Sequence, residues 1–262
     1  MPVAKAKDIY ALLRCPGCHG SLNTQGSKLR CADPRCRAGG AGFVNAASQP
    51  VLVDFSRSLF DEPEFTDGHI PEIGNHTTST FGMLRMKLRE GLFGTNEMAK
   101  TKCDELVARL RGRPNPVVLV VGGGTVGSGI QALYEQNDVR VVSTDVFPSA
   151  VTTLIADAHH LPFKDGSFDA IWIQAVLEHV LEPEVVVGEL HRVLKDDGLV
   201  YADTPFMQQV HAGAYDFQRF SPSAHRWLFR RFSEIEAGAV GGAGVSLLWS
   251  YRYFLRALGL GN

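Results

Sequence analysis

The chain of 262 residues has no long apolar run. A bilayer span needs roughly 20 consecutive apolar residues, and the least polar stretch, residues 237–260, is interrupted by Arg252 and Arg256. Residues 1–14 lack the charged start and apolar core of a secretory leader, so the expected location is the cytoplasm. Net charge is nearly absent, at −2, which excludes a global basic field for nucleic acid. There is no internal repeat and no low-complexity tract. Cysteine is scarce, with five in all, yet Cys15, Cys18, Cys31 and Cys36 fall within 22 positions. That clustering points to a metal site and not to a scattered disulfide framework.

The length suits one full α/β domain plus a small module, and the pattern divides it into residues 1–55, 56–112 and 113–262. In the first part, Cys15-Pro16-Gly17-Cys18 reads as a tight turn presenting two thiolates, and Cys31 and Cys36 as a second pair. Two such knuckles suit tetrahedral Zn²⁺, whose binding would supply the folding energy of so small a segment. The second pair has the looser spacing, which leaves His19 as an alternative ligand. Residues 1–40 carry seven Lys/Arg against two Asp. This local excess keeps RNA contact open, although few aromatics interleave the charges for base stacking.

Residues 56–75 are acidic and turn-rich and read as a linker. Residues 80–112 read as helical, with Ala99, Cys103, Leu106, Val107 and Leu110 on one face and a stop at Gly112 and Pro114. Cys103 is expected in the core as a small hydrophobe. From residue 116 the pattern alternates. Strands are expected over 117–121, 139–144, 152–156, 170–173 and 199–203, with helices over 126–136 and up to 194. This predicts a doubly wound, mostly parallel sheet. Asp145 and Asp157 are 12 positions apart, too close for a helix between them, so a short irregular crossover containing Pro148 is expected.

Gly122, Gly123, Gly124 and Gly127 form a loop after the first of these strands. Glycines let backbone approach a ligand closely. Asp145, followed by Val146, stands at the second strand's tip, where a carboxylate can accept both hydroxyls of a ribose. Both features also fit a dinucleotide site.

Downstream come Asp157-Ala158, then Leu161-Pro162-Phe163, then Asp165-Gly166-Ser167-Phe168-Asp169. Residues 174–179 end in Leu177-Glu178-His179, and Glu189 is followed by Arg192-Val193-Leu194-Lys195 and Gly198. Taken in order, over about residues 95–235, this set resembles the Rossmann-like cofactor half of class I S-adenosylmethionine-dependent methyltransferases of type 11. The resemblance implies S-adenosyl-L-methionine as cofactor, with Asp157 and Ala158 near adenine and Gln174 near the methionine end. The family usually has an acid two positions ahead of the first glycine, where this chain has Val120. The family sheet ends in two further strands, for which residues 232–237 are the first candidate.

Methyl transfer from a sulfonium needs mainly alignment, plus a base when the acceptor is an alcohol. Glu178 and His179 follow the fourth strand and read first as residues bracing the cofactor, with His179 also a candidate base. The segment from Pro205-Phe206 to His211, Asp216 and Arg219 resembles one found in a bacterial methyltransferase subgroup associated with glycans and secondary metabolites. Ala214 replaces its usual proline. His211 is a candidate base near pH 7, and His211, Asp216 and Arg219 read equally as a brace for a lid. His159 and His160 read as loop residues without a chemical role.

Residues 12–54 resemble the zinc-ribbon proteins that activate tRNA methyltransferases and ribbons fused to some ribosomal-RNA methyltransferases. Leu247, Leu248, Tyr251, Phe254, Leu255 and Leu258 follow helical spacing and read as a core-packing or dimer helix, or as peripheral contact with a membrane surface. The expectation is an O- or N-methyltransferase acting on a small molecule or glycan. An RNA methyltransferase, an NAD-dependent oxidoreductase and a non-catalytic cofactor-binding module are the alternatives.

Overall fold

The computed structural model describes residues 3–26, 28–66, 96–211 and 213–259. The expected linker beyond residue 66 and the helix expected over 80–95 lie outside the described residues.

The centre is a five-stranded parallel sheet: β5 (Val117–Val121), β6 (Arg140–Asp145), β7 (Leu154–Ile155), β8 (Phe168–Gln174) and β9 (Leu194–Asp203), in the order β7-β6-β5-β8-β9. Its inner strands β5 and β8 are apolar on both sides because both faces are covered. Val118, Val120, Ala170 and Trp172 join one apolar cluster, and Leu119, Val121, Ile171 and Ile173 the other. Helix α2 (Glu97–Leu110) covers the first face with Ala99, Cys103, Leu106, Val107 and Leu110, the residues its periodicity singles out. The Asn96 side chain caps it by accepting from Ala99 N at 3.0 Å. Helix α4 (Pro183–Val193) covers the second face with Val186, Val187, Leu190 and Val193. Each such burial stabilises by about 1.5–3 kcal/mol, and truncating Leu190 to alanine would cost about 2–5 kcal/mol.

The charged residues around β8 have mechanical roles. Asp169 accepts from Val117 N at 2.9 Å and pairs with Lys195 at 2.8 Å and Arg113 at 3.2 Å, pinning the start of β5 beside β8. Arg192 pairs with Glu189 at 2.6 Å and Asp165 at 2.8 Å, and donates to the carbonyls of Leu161 and Phe163. It thus clamps the turn that leads into β8.

Between β6 and β7 there is no helix, as the short spacing requires. Thr153 N returns directly to Ser143 O at 2.8 Å. The helix expected over 126–136 shrinks to a single turn, α3 (Gln131–Tyr134). Gly129 has φ +95, and a β-carbon there would meet Asn96 O and Lys100 N at 2.7 Å. The chain therefore packs against the start of α2 in a left-handed conformation that a helix cannot contain. No sixth strand forms over 232–237. Glu234 and Glu236 there turn outward to pair with Arg226 at 3.0 Å and Lys102 at 2.7 Å.

The N-terminal segment holds two antiparallel pairs, β1 (Leu22–Gln25) with β2 (Lys28–Cys31) and β3 (Asn45–Ala46) with β4 (Gln49–Pro50). It is joined to the rest of the fold by three isolated backbone bridges among the described residues. Val3 bridges Val141 in parallel, and Ala4 N donates to Val141 O at 2.8 Å. Leu13 bridges Phe163, and after β4 Val51 bridges Ile155 in parallel while Leu52 N donates to Ile155 O at 2.8 Å. Ile9, Leu13, Leu29, Phe43 and Leu52 share one apolar cluster with Leu119, Ile171 and Leu190. A short helix, α1 (Glu62–Thr66), adds Phe65 to a smaller cluster with Val51, Val53, Phe60 and Ile155.

Helix α5 (Pro222–Leu228) follows the sheet, and α6 (Ala243–Ala257) ends the described chain. Helix α6 contradicts the core-packing expectation, since none of its residues is buried and Leu247 is 72% exposed. Gln209 donates to Ser250 Oγ at 3.2 Å and Tyr253 to Val210 O at 3.4 Å, tying the helix to the segment before His211. No described helix is long and apolar enough to cross a membrane.

Candidate active site

A cavity of about 490 Å³ opens at the C-terminal ends of β5, β6 and β8, the place where open α/β sheets bind ligands. Gly122, Gly127, Asp145, Val146, Asp157, Ala158 and Gln174 line it. Gly123 and Gly124 sit behind the wall. A β-carbon at Gly124 would strike the Phe147 ring and come within 2.8 Å of Asp145 Oδ2, so this backbone passes where no side chain fits. Gly124 N and Val146 N each donate to one Asp145 oxygen at 2.7 Å. That fixes the carboxylate and leaves lone pairs on both oxygens. Burial pushes the Asp145 carboxyl up to about 6, against the pull of those N–H groups.

Asp157 is also engaged. Burial works to raise its pKa, but hydrogen bonds from His159, at 2.6 Å, and Ser58 Oγ, also at 2.6 Å, outweigh it and hold the carboxyl below the ordinary range. His159 in turn accepts from Glu182 N at 3.1 Å through its other nitrogen, so it acts as a brace. Ser58, Leu59 and Phe60 were absent from the residues singled out in the sequence, yet Leu59 and Phe60 line the cavity and Ser58 orients Asp157. Their composition gives no motif. Only the pairing of residues 51 and 52 along β7 delivers them there. Val120 lines the wall at the position where an acid is usual.

His179 and His211 also line the cavity. Backbone strain positions the first: Ala175, just past β8, has φ +54, a conformation that costs a residue with a β-carbon about 1–2 kcal/mol. The turn Leu177–His179 follows. His179 Nδ1 meets Tyr215 O at 2.7 Å, and the two rings lie edge to face with centroids 4.9 Å apart. His211 Nδ1 lies 3.2 Å from Asp216 Oδ2. Asp216 is held at about 2, chiefly by its hydrogen bonds from Arg219 and against the effect of burial. Arg219 spends its other donors on the carbonyls of Gln208, Gln218 and Gln209. Neither Asp216 nor Arg219 is on the cavity wall; both stand behind His211. Phe217 N donates to Glu178 O at 2.8 Å, stitching this segment to the turn after β8. The Glu178 side chain is fully buried, and burial pushes its carboxyl up to about 7. Burial also lowers the His179 pKa.

The four clustered cysteines converge. Their Sγ atoms all lie within 4.8 Å of one another, with Cys15–Cys36 at 3.6 Å and Cys18–Cys31 at 3.4 Å. A disulfide needs about 2.05 Å, so these are not bonded pairs. The edge of a ZnS₄ tetrahedron with bonds of about 2.3 Å is about 3.8 Å, and the four sulfurs fit it. Gly20 N donates to Cys18 Sγ at 3.4 Å and is the main cause of that thiol's lowered pKa. Burial raises the Cys15 thiol and pushes Cys31 up to about 11. His19 is outside the cluster, with its carbonyl accepting from Arg14 at 3.2 Å.

Residues 119–202 match the methyltransferase domain family. The matched segment runs from β5 to β9 of the sheet. The malonyl-[acyl-carrier protein] O-methyltransferase of Laribacter hongkongensis is 29% identical over 123 residues, 37% of this chain and 41% of that protein. The ubiquinone/menaquinone biosynthesis C-methyltransferase UbiE of Hydrogenovibrio crunogenus is 28% identical over 148 residues, 49% of this chain and 57% of that protein. The chain thus spans well under two thirds of the length of these curated relatives. Among solved structures, a chain of the Haloferax volcanii complex containing the Trm112 methyltransferase activator aligns with a TM-score of 0.42 at 23% identity, over 56% of this chain and 71% of that one.

Proposed function

We propose that the protein transfers a methyl group from S-adenosyl-L-methionine to an oxygen or nitrogen of a small molecule or glycan. The observation that carries this reading is that one cavity is lined both by Gly122, Gly127, Asp145 and Asp157 and by His179 and His211. The cofactor supplies a methyl group already activated on a sulfonium, so the protein's part is placement.

Asp145, held by two backbone N–H groups, accepts the ribose hydroxyls, and Asp157 with Ala158 meets the adenine. Gln174, at the end of β8, faces the amino-acid portion in place of the acid missing at Val120. The acceptor lies against His179 and His211. Each imidazole has its Nδ1 at a backbone carbonyl, Tyr215 O at 2.7 Å and Gln209 O at 3.3 Å respectively, leaving Nε2 toward the acceptor. Asp216 and Arg219 are positioning residues for His211. Zn²⁺ at Cys15, Cys18, Cys31 and Cys36 would have a structural role, because four thiolates leave no open position.

The test is transfer of labelled methyl from S-adenosylmethionine to a panel of hydroxyl- and amine-bearing small molecules and oligosaccharides. The reading expects turnover with at least one class and a loss of 100-fold or more in His211→Ala. Label transfer to RNA alone would replace it with the RNA methyltransferase.

A further inference from the structure

We infer that Glu178, His179 and His211 form a binding site for one divalent cation at the wall of the cavity. This is a second metal site, separate from the four cysteines.

The first observation is convergence. One ligating atom from each of the three side chains lies within 4.8 Å of the other two, and Glu178 Oε1 is 3.7 Å from His179 Nε2. Two imidazoles and one carboxylate on one side of an ion leave its remaining positions open, a set suited to first-row cations that accept nitrogen and oxygen ligands.

The second observation is independent of spacing. Glu178 is 0% exposed, and neither of its carboxylate oxygens has a hydrogen-bond partner among the described residues. Burying a carboxylate with no partner is costly. Its backbone carbonyl is satisfied by Phe217 N, so the side chain is the part that lacks a partner, and a cation between it and the imidazoles would satisfy it.

The third observation is the outer layer. Ligating histidines are usually oriented by a carbonyl or carboxylate at their second nitrogen. Both have one here: His179 Nδ1 at Tyr215 O, 2.7 Å, and His211 Nδ1 at Gln209 O, 3.3 Å. The histidines line the cavity and Glu178 closes it from behind, so the open coordination positions face the acceptor. On the methyltransferase reading, on which this last step rests, the ion would take two oxygens of one acceptor, which selects vicinal diols or hydroxy-carbonyl compounds over isolated alcohols and amines.

The experiment is titration of the zinc-replete full chain with Mn²⁺, a hard cation that does not compete for thiolates. The disappearance of the free-ion electron paramagnetic resonance signal is the readout. S-adenosylhomocysteine binding is measured on the same samples. The expected result is one Mn²⁺ bound per chain, with affinity reduced at least tenfold in Glu178→Gln and in His211→Ala. His211 is exposed, so the second variant tests the site even if the first fails to fold. Mn²⁺ left free at millimolar concentration, or equal binding by wild type and His211→Ala, would overturn the site. Mn²⁺ binding without S-adenosylhomocysteine binding would leave the site standing and remove the methyltransferase reading instead.

Discussion

The hydroxyl of Ser58 donates to the carboxylate of Asp157 at 2.6 Å across 99 positions of sequence. A residue just beyond the cysteine-bearing segment therefore orients an acid of the cofactor pocket. Ser58→Ala should lower stability by about 1.5–3 kcal/mol, the range for a hydrogen bond to a charged group. It should also weaken S-adenosylhomocysteine binding several-fold. Calorimetric titration and denaturant unfolding check both, and an unchanged affinity would show that Asp157 is held by His159 alone.

Asp145 gives a pH dependence of defined sign. Its carboxyl is raised from 3.8 to about 6 by burial. Between those values the folded chain keeps a proton that the unfolded chain releases. The stabilisation is complete below about pH 4 and is lost as pH rises through about 6, by at most about 3 kcal/mol at 1.36 kcal/mol per unit. Asp145→Asn should remove this slope from unfolding midpoints taken between pH 4 and pH 7. Cofactor affinity in the wild type should run the other way and rise through the same window, because only the ionised carboxylate can accept from both ribose hydroxyls.

The cysteine cluster predicts one zinc per chain by elemental analysis, lost in Cys31→Ser. Leu13, Leu29 and Leu52 pack in the same apolar cluster as Leu119 and Ile171. Stripping the zinc should therefore lower the melting temperature of the whole chain and not unfold the N-terminal segment alone. A sheet that melts unchanged after chelation would show that the segment is an independent attachment.

Arg192 is predicted to be structural and not replaceable by lysine. Its planar fork serves Glu189, Asp165 and two carbonyls at once, a geometry an ammonium cannot copy. Arg192→Lys should destabilise by about 1–3 kcal/mol, and Arg192→Ala by about 3–5 kcal/mol because it leaves mostly buried Glu189 unpaired. Urea unfolding of the two variants measures this.

The inner strands were legible because each is a short apolar run that ends at the site, as Val121 gives way to Gly122 and Thr144 to Asp145, whereas the start of β9 at Leu194 was not, because Lys195, Asp196, Asp197 and Gly198 read as a turn. The face of α2 was legible from its 3.6 period. The one-turn α3 was not, because nothing in the local sequence shows that Gly129 must pass against Asn96 and Lys100. Nor was the outward turn of Glu234 and Glu236, whose partners lie elsewhere in the chain. Most of the candidate pocket was readable from ordered motifs. Leu59 and Phe60 were not, since a tertiary strand pairing brings them in. Glu178 could be noted as polar beside the site, but its full burial without a partner is a property of the folded chain only.

The central claim is that the cavity around Asp145 holds S-adenosylmethionine. Isothermal titration of the wild type and Asp145→Ala with S-adenosylhomocysteine and, separately, with NAD tests it most directly. The account predicts stoichiometric binding of the sulfur compound by the wild type, affinity reduced about 10- to 100-fold in the variant, as expected for losing charged hydrogen bonds of about 1.5–3 kcal/mol, and no heat with NAD. Binding of NAD in place of S-adenosylhomocysteine would contradict it.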